Sequence, residues 1–341
     1  MKKTVCTILC LLCLGLLPSV SEGEQSVSTY TNPIAAKGAD PYLIQHEDTY
    51  YYIYTGGYYL VVARVDDPTE LDYYDTVNSE IVYIAPEGTE YSYEYWAPEL
   101  HCIDGEWYIY VAADNGLNEN HRMYVLKCTG DVPTDEFEMI GKLSDPSDKW
   151  AIDGTVFEYQ GELYTVWSGW PGDENVQQNL YIAHMSDPCA IDSERVCIST
   201  PAESWERNTY PINEGPQILI KNDTVNIVYS ASASWENDYC LALLTYRPEN
   251  GDIMDAASWV KADSPLMEKQ LGSYGPGHCS FIQSPDRTED YIVYHANIRS
   301  GTGWDGRSVR MQKFTWNGDI PVLGDPVDIG VELPLPSGTQ R

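Results

Sequence analysis

Short apolar and aromatic segments alternate with polar turns along almost the whole chain. Tyr, Val, Ile and Trp dominate these segments, and turn residues recur about every eight to twelve positions, which predicts β-strands. No long stretch has the apolar spacing of an amphipathic helix. The pattern therefore predicts an all-β protein.

One hairpin pattern, an apolar strand followed by a polar turn and an aromatic strand, occurs five times. The copies are Pro41–Tyr54, Glu99–Val111, Thr155–Trp167, Gln217–Tyr229 and Ser280–Tyr294. A third strand is predicted after each copy: Tyr59–Ala63, Arg122–Leu126, Asn179–Ala183, Tyr239–Leu243 and Ser308–Gln312. A repeat of about 60 residues suits a four-stranded propeller blade, whereas a β-sandwich gives no reason for a fivefold period. We predict a five-bladed β-propeller, in one domain over residues 24–341.

The first 23 residues have the features of a secretory signal. Lys2 and Lys3 precede an apolar run from Val5 to Leu17, and small residues near Ser21 offer a cleavage site. The run is too short to favour a membrane span, and no later stretch is long and apolar enough. We therefore expect a secreted, extracellular protein.

The cysteines and the net charge indicate which disulfides and which classes of partner to expect. Six of the nine cysteines lie after the predicted signal, and Cys189 with Cys197 is the best candidate for a disulfide. Cys102 could pair with Cys128 if their strands are neighbours, and free buried thiols are expected otherwise. The net charge is −32, from 52 acidic and 20 basic residues, which argues against nucleic acid and anionic membranes as partners.

Titratable residues stand at the start of the first strand of every predicted blade. First strands of a propeller line its central channel in one direction, so these residues should converge at one end of the axis. They are Asp40, Glu99, Asp153, Glu214 and His278. Neighbouring carboxylates raise one another's pKa, a cost that functional sites tolerate.

Two or three carboxylates around a cleft are the groups that glycoside hydrolysis needs, one protonated and one ionised. Metal binding is the competing use of such a ring, with calcium or a transition ion as the ligand. Catalysis is favoured because the chain lacks a calcium loop of alternating Asp and Asn. A cofactor is not required for this chemistry.

The chain also resembles glycoside hydrolase family 43, and within it the secreted exo-acting α-L-arabinofuranosidases. The motifs that carry the resemblance run in order from about Asn32 to Pro326. They are Gly38–Pro41, Tyr95–His101, Ile152–Thr155, Trp205–Arg207, Asn213–Pro216, Tyr229–Ala233, Tyr274–His278 and Arg310–Lys313. The family's propeller fold agrees with the repeat.

The resemblance implies roles for individual residues. Asp40 would be the general base that activates water, and Glu214 the general acid. Asp153 would orient that acid and keep its pKa raised. Arg310 would bind sugar hydroxyls near the base, and His278 would stand at an axial water or calcium site. Cys279 departs from the asparagine that the resemblance implies after that histidine.

Three further residues are predicted to bind substrate. Trp96 could stack on a pentose ring, although a core position is nearly as plausible for it. Glu99 is expected to form hydrogen bonds, and Trp170 is expected on a loop that faces the substrate.

The expected partner is a plant cell-wall polysaccharide or oligosaccharide, namely arabinan or arabinoxylan, cleaved with inversion. Endo-arabinanase and β-xylosidase activities share the same ring and stay open as alternatives. A non-catalytic carbohydrate-binding propeller is a third alternative, but it would not need three carboxylates.

Overall fold

Residues 28–340, which the computed structural model describes, form five antiparallel sheets and a two-stranded terminal ribbon. Blade 1 contains β2 (Tyr42–His46), β3 (Thr49–Ile53), β4 (Tyr59–Val65) and β5 (Ser79–Ile84). Blade 2 contains β6 (Tyr93–Ile103), β7 (Glu106–Asp114), β8 (Arg122–Cys128) and β9 (Phe137–Leu143). Blade 3 contains β10 (Ala151–Tyr159), β11 (Glu162–Gly169), β12 (Asn179–Asp187), β13 (Ala190–Ile191) and β14 (Val196–Ser199).

The remaining strands form two more blades and the ribbon. Blade 4 contains β15 (Asn213–Lys221), β16 (Thr224–Ala231), β17 (Cys240–Tyr246) and β18 (Trp259–Lys261). Blade 5 contains β19 (Tyr274–Gln283), β20 (Asp290–Asn297), β21 (Arg307–Asn317) and β22 (Ile320–Val322). The ribbon pairs β1 (Thr29–Thr31) with β23 (Glu332–Pro334). One α-helix, α1 (Leu71–Thr76), lies between β4 and β5.

The five blades close into a ring around their first strands. Strand β2 contacts β6, β6 contacts β10, β10 contacts β15, β15 contacts β19, and β19 contacts β2 again. Five separate apolar clusters fill the spaces between neighbouring blades, so that each blade contributes to two of them. Burial of these aromatic and branched side chains is the main driving force that holds the ring together. The predicted five-bladed propeller is confirmed.

The N-terminal segment closes the ring against the last blade. The backbone of Ile34 donates to Val309 on β21, and the side chain of Asn32 donates to the carbonyl of Met311 at 3.0 Å. Each of these bonds joins residues more than 270 positions apart. The first and last blades are thereby fixed to each other by hydrogen bonds as well as by apolar contact.

The predicted third strands correspond to β4, β8, β12, β17 and β21, although the predicted start at Tyr239 lies one residue before β17. The predicted disulfides are wrong. All six cysteines among residues 28–340 are free thiols. Cys197 pairs with Tyr181 on β12, and Cys189 adjoins the other end of that strand, so about 15–20 Å separate them. A disulfide requires Cα atoms within about 7 Å. Strand β7 lies between the strands that carry Cys102 and Cys128 and keeps them apart.

The predicted signal lies outside the described residues. Within residues 28–340, no helix is long and apolar enough to cross a lipid bilayer.

Candidate active site

Near the start of the first strand of each blade, a residue adopts the left-handed backbone region. These residues are Asp40 (φ 53°), Ala97 (φ 43°), Asp153 (φ 56°), Gly215 (φ 55°) and His278 (φ 42°). In blades 2 to 5 the strand register also shifts at this point, as in a β-bulge. Left-handed backbone is costly for residues other than glycine, and such strain tends to occur at functional sites. The bulges turn the side chains that precede the ladder towards one end of the channel.

In four of the blades, the N–H group of this left-handed residue donates to a side chain of the preceding blade. The donor of Asp40 meets Nδ1 of His295 at 3.1 Å, and that of Ala97 meets Oγ1 of Thr55 at 2.8 Å. The donor of Gly215 meets Oδ2 of Asp153 at 3.0 Å, and that of His278 meets Oγ of Ser230 at 2.8 Å. The ring of blades and the ring of site residues are therefore held by the same hydrogen bonds.

Asp40 is held as a carboxylate by its neighbours. Oδ2 accepts a bond from Thr55 at 2.7 Å, and Oδ1 accepts one from Nη1 of Arg307 at 3.1 Å. Nδ1 of His278 lies 3.4 Å from the same Oδ1. Burial would raise the pKa of Asp40, but electrostatic interactions with His278 and with the guanidinium of Arg307 hold it far below its usual range. Asp40 is therefore ionised throughout the physiological pH range.

His295 supports Asp40 from behind as a neutral ring. Burial, reinforced by the charge of Arg307, holds the pKa of His295 well below its usual value. Its Nδ1 can then accept the N–H of Asp40, and the proton resides on Nε2. The ring also stacks on Tyr239, with centroids 5.9 Å apart. Tyr239 in turn donates its hydroxyl to Oε1 of Glu214 at 2.9 Å, so one stack supports both carboxylates.

Glu214 has the opposite electrostatic character to Asp40. It is the second residue of β15, next to Gly215, and is buried. Burial raises its pKa to about 7, with the charge of Asp40 adding to the rise, while the Tyr239 hydroxyl and Arg307 oppose it. A carboxyl with this pKa carries a proton in much of the enzyme near neutral pH. The site thus joins an ionised carboxylate to a protonatable one.

Asp153 lies beside both of these groups. Its Oδ2 is 3.8 Å from Nδ1 of His278 and accepts the N–H of Gly215, the residue after Glu214. The pKa of Asp153 is raised to about 8, chiefly by burial, with His278 opposing the rise and the charges of Glu214 and Asp40 adding to it. Burial, rather than Asp153, is the largest cause of the raised pKa of Glu214. The observed contact through which Asp153 can orient Glu214 is this backbone hydrogen bond.

A cavity of about 720 Å³ opens over the three carboxylates. This volume is in the range of small-molecule sites, about 300–1,000 Å³. Four tryptophans line it, namely Trp96, Trp150, Trp235 and Trp304, together with polar groups that include Asn118, Asn175, Gln178 and Tyr210. Aromatic faces combined with amide and hydroxyl groups suit a ligand with both apolar C–H surfaces and hydroxyls.

The predicted binding residue Trp96 lines this cavity, whereas Trp170 does not. Trp96 stacks on His121 and donates Nε1 to Glu94 at 2.9 Å, which fixes its ring. Trp170 is buried and stacks on Trp150 with centroids 4.7 Å apart. Trp170 lies in the loop after β11, as predicted, but the expected contact with substrate is wrong, because Trp170 lies behind the tryptophan that borders the cavity.

Glu99 lies one layer deeper in the channel than predicted. It follows the left-handed residue of its blade by two positions, and Gln217 stands in the same relation to Gly215. The two side chains meet across the channel, and Oε2 of Glu99 contacts Nε2 of His101 at 2.8 Å. Residues two apart on a strand share a face, about 6–7 Å apart. Glu99 is thus a buried partner beneath the cavity and does not border it.

The arginine beside the base is Arg307, so the prediction of Arg310 is also corrected. Arg310 is fully buried and donates to the carbonyls of Gly272 and Asn297. The two arginines are three residues apart on β21, and an odd separation places side chains on opposite faces of a strand. Position at the start of β21, next to the loop, is the signal that could have favoured Arg307.

His278 borders the cavity, but the side chains around it do not form a set of calcium ligands. Among residues 28–340, no three side chains of His, Cys, Asp or Glu converge as metal ligands. Nδ1 of His278 instead faces Asp40 and Asp153. An axial calcium ion stays a prediction, and no chemical step below depends on one.

Comparison with known proteins places this arrangement in context. Residues 30–321 match the model of Glycosyl hydrolases family 43. The chain is 34% identical to an extracellular exo-α-(1→5)-L-arabinofuranosidase of Streptomyces avermitilis, over 96% of this chain and 70% of that protein. It is 33% identical to α-L-arabinofuranosidase 43 of Humicola insolens, over 88% of this chain and 64% of that protein.

A solved structure shows the same similarity in three dimensions. The crystal structure of an α-L-arabinofuranosidase from Lactobacillus brevis superposes with a TM-score of 0.81 at 32% identity. The match covers 89% of this chain and 98% of that one.

Proposed function

The chain belongs to glycosyl hydrolase family 43 and is a glycosidase, and on that premise we propose that it releases terminal α-L-arabinofuranose from 1,5-linked arabinan or arabino-oligosaccharides with inversion. The observation that carries the proposal is the contrast between the two carboxyls at the cavity. The pKa of Asp40 lies far below its usual range, whereas that of Glu214 is raised to about 7. Environments that push two carboxyl pKa values apart are the mark of an acid and a base.

Each residue then has a defined part in the reaction. Asp40 takes a proton from a water molecule as that water attacks the anomeric carbon of the sugar. Glu214 gives its proton to the departing glycosidic oxygen as the carbon–oxygen bond breaks. Asp153 holds the N–H that follows Glu214, and Arg307 keeps Asp40 ionised and in place. An attack by water from the face opposite the leaving group inverts the anomeric configuration.

The substrate class rests on the relatives and on the cavity. The two relatives and the solved structure named above are all described as arabinofuranosidases. The strongly negative charge of the chain favours a neutral polysaccharide over an acidic one. Arabinan is proposed as the substrate because the Streptomyces avermitilis relative is named for α-(1→5) linkages, and arabinoxylan is the competing source. Export from the cell is proposed on the predicted signal and on that extracellular relative.

The test follows product anomers by NMR. The purified protein is incubated with 1,5-arabino-oligosaccharides, an aryl α-L-arabinofuranoside and an aryl β-D-xyloside. We expect arabinose in the inverted configuration from the first two. Internal cleavage of long arabinan would assign an endo-arabinanase, and turnover of only the xyloside would assign a β-xylosidase. Binding of arabinan without turnover of any pentoside would identify a carbohydrate-binding propeller and refute the proposal.

Glu214→Gln tests the assignment of the acid. This variant should lose about 100-fold or more in activity on oligosaccharides, whose leaving group needs a proton. Aryl arabinofuranosides with acidic phenols need little protonation and should lose much less. An equal loss on both substrates would count against Glu214 as the acid.

A further inference from the structure

Two exposed tryptophans separate the catalytic cavity from a second hollow. Trp235 and Trp304 line both spaces, and Thr302, Gly303 and Asp305 complete the second, which has a volume of about 380 Å³. Their side chains are 36% and 60% exposed, although tryptophan is highly buried on average. The catalytic roles of the three carboxylates do not require two exposed tryptophans at this position.

The two rings form an open but supported surface. Their centroids are 5.6 Å apart and their planes meet at 76°, so the edge of one ring meets the face of the other. Such a contact leaves broad aromatic surface for a ligand. Nε1 of Trp304 donates to Oγ of Ser234 at 3.1 Å, and this hydrogen bond fixes the orientation of the exposed ring.

The same serine connects this surface to the general base. Its carbonyl accepts a bond from Nη2 of Arg307 at 3.2 Å, while Nη1 of that arginine donates to Asp40 at 3.1 Å. The buried guanidinium of Arg307 therefore connects Ser234, which holds Trp304, to Asp40, the carboxylate that activates water. A ligand on the rings would lie next to the reaction centre.

The chemistry of the hollow suits a sugar unit. Aromatic faces match the C–H surfaces of a sugar ring, and Thr302 and Asp305 offer a hydroxyl and a carboxylate to its hydroxyl groups. We infer that Trp235 and Trp304 form a platform for a second, neutral pentose residue of the substrate, on the leaving-group side of the scissile bond. This inference rests on the proposed function, because an enzyme that removes terminal sugars keeps the terminal residue at the carboxylates and the rest of the chain outside.

Chain-length dependence tests the platform. The values of kcat/KM are measured on α-L-arabinofuranosyl fluoride, which has one sugar and no aromatic leaving group to stack on the rings, and on arabinobiose, arabinotriose and arabinopentaose. Trp304→Ala should lower kcat/KM on the three oligosaccharides by about tenfold more than on the fluoride. Trp304→Phe should recover part of the loss, since it keeps an aromatic face.

Tyr58→Ala is the matched control. Tyr58 is also 60% exposed and lines neither space, so Tyr58→Ala should leave kcat/KM unchanged on every substrate. A second measurement uses calorimetry on the Glu214→Gln variant, with and without Trp304→Ala, to compare binding of arabinotriose and arabinose. We expect the tryptophan change to weaken only the binding of the trisaccharide.

The outcomes separate this inference from the proposed function. Equal losses on the fluoride and the oligosaccharides, or no loss on any of them, would overturn the platform while leaving the glycosidase assignment intact. If the wild-type protein hydrolyses no pentoside, the proposed function fails, and calorimetry decides the platform alone. Trisaccharide binding that does not respond to Trp304→Ala would then refute it.

Discussion

Removing the hydroxyl of Tyr239 should move the basic limb of the pH–activity profile upward. This hydroxyl donates to Oε1 of Glu214 at 2.9 Å in a buried setting, and it favours the ionised form of that acid. In Tyr239→Phe the bond is lost while the stacked ring stays. The pKa of Glu214, already about 7, should therefore rise.

The size of the change follows from hydrogen-bond energies. A bond to a charged group contributes about 1.5–3 kcal/mol, and a neutral bond about 1 kcal/mol. The difference between ionised and protonated Glu214 is thus about 1 kcal/mol or slightly more. One pKa unit corresponds to about 1.4 kcal/mol, so we expect the limb to move by about one pH unit. Activity requires the protonated acid, which is why a higher pKa extends activity to higher pH.

The assay is kcat/KM against pH on an arabino-oligosaccharide, which reports the free enzyme. Glu214 and Asp153 interact, so the basic limb describes the pair rather than one carboxyl. Tyr246→Phe is the control, because it removes a partly buried hydroxyl bond, to the carbonyl of Gly251 at 2.9 Å, at the opposite end of β17 from Tyr239. It should leave the profile in place. A basic limb that stays fixed or moves downward in Tyr239→Phe would refute the reasoning.

Three further changes test other parts of the site. Arg307→Met should raise the pKa of Asp40, move the acidic limb to higher pH and lower kcat/KM about 100-fold, whereas an unmoved limb would show that Arg307 does not act on the base. Glu99→Ala should leave KM unchanged but lower the free energy of unfolding in chemical denaturation by about 2–4 kcal/mol, because Gln217 loses a buried partner. A raised KM would instead indicate that Glu99 binds substrate. Glu214→Gln should stabilise the protein at pH 8 but not at pH 4. The folded pKa of about 7 exceeds the unfolded value of about 4.5, so ionisation costs stability as pH rises through that window. Calorimetry at the two pH values measures this, and equal melting temperatures in both proteins at pH 8 would contradict it.

The repeat of apolar and aromatic segments was enough to predict the fold. Strand periodicity depends on neighbours in the chain, and five copies at similar spacing leave few architectures other than a five-bladed propeller. The same reasoning brought Asp40, Asp153 and Glu214 to one end of the channel, because first strands that run in parallel directions place their starting residues together. For these positions, local sequence and topology were sufficient.

Other parts of the site depended on details that only the tertiary structure decides. Glu99 follows the left-handed Ala97 by two residues, so its side chain lies deeper in the channel than the catalytic carboxylates. Arg307 and Arg310 lie on opposite faces of β21, and only Arg307 contacts Asp40. Stacking order placed Trp150 at the cavity and Trp170 behind it. Cysteine spacing suggested disulfides that the strand order keeps apart.

The pKa contrast at the centre of the site has the same origin. Asp40 and Glu214 are ordinary carboxylic acids in the sequence. Their pKa values diverge because the closed ring buries both, brings the positive charge of Arg307 within hydrogen-bond distance of Asp40, and places a tyrosine hydroxyl against Glu214. Burial and charge act through space, between blades that are up to 267 residues apart in the chain. The chain alone determines the fold and brings Asp40, Asp153 and Glu214 to the channel mouth, and the closed ring determines which of them holds the proton.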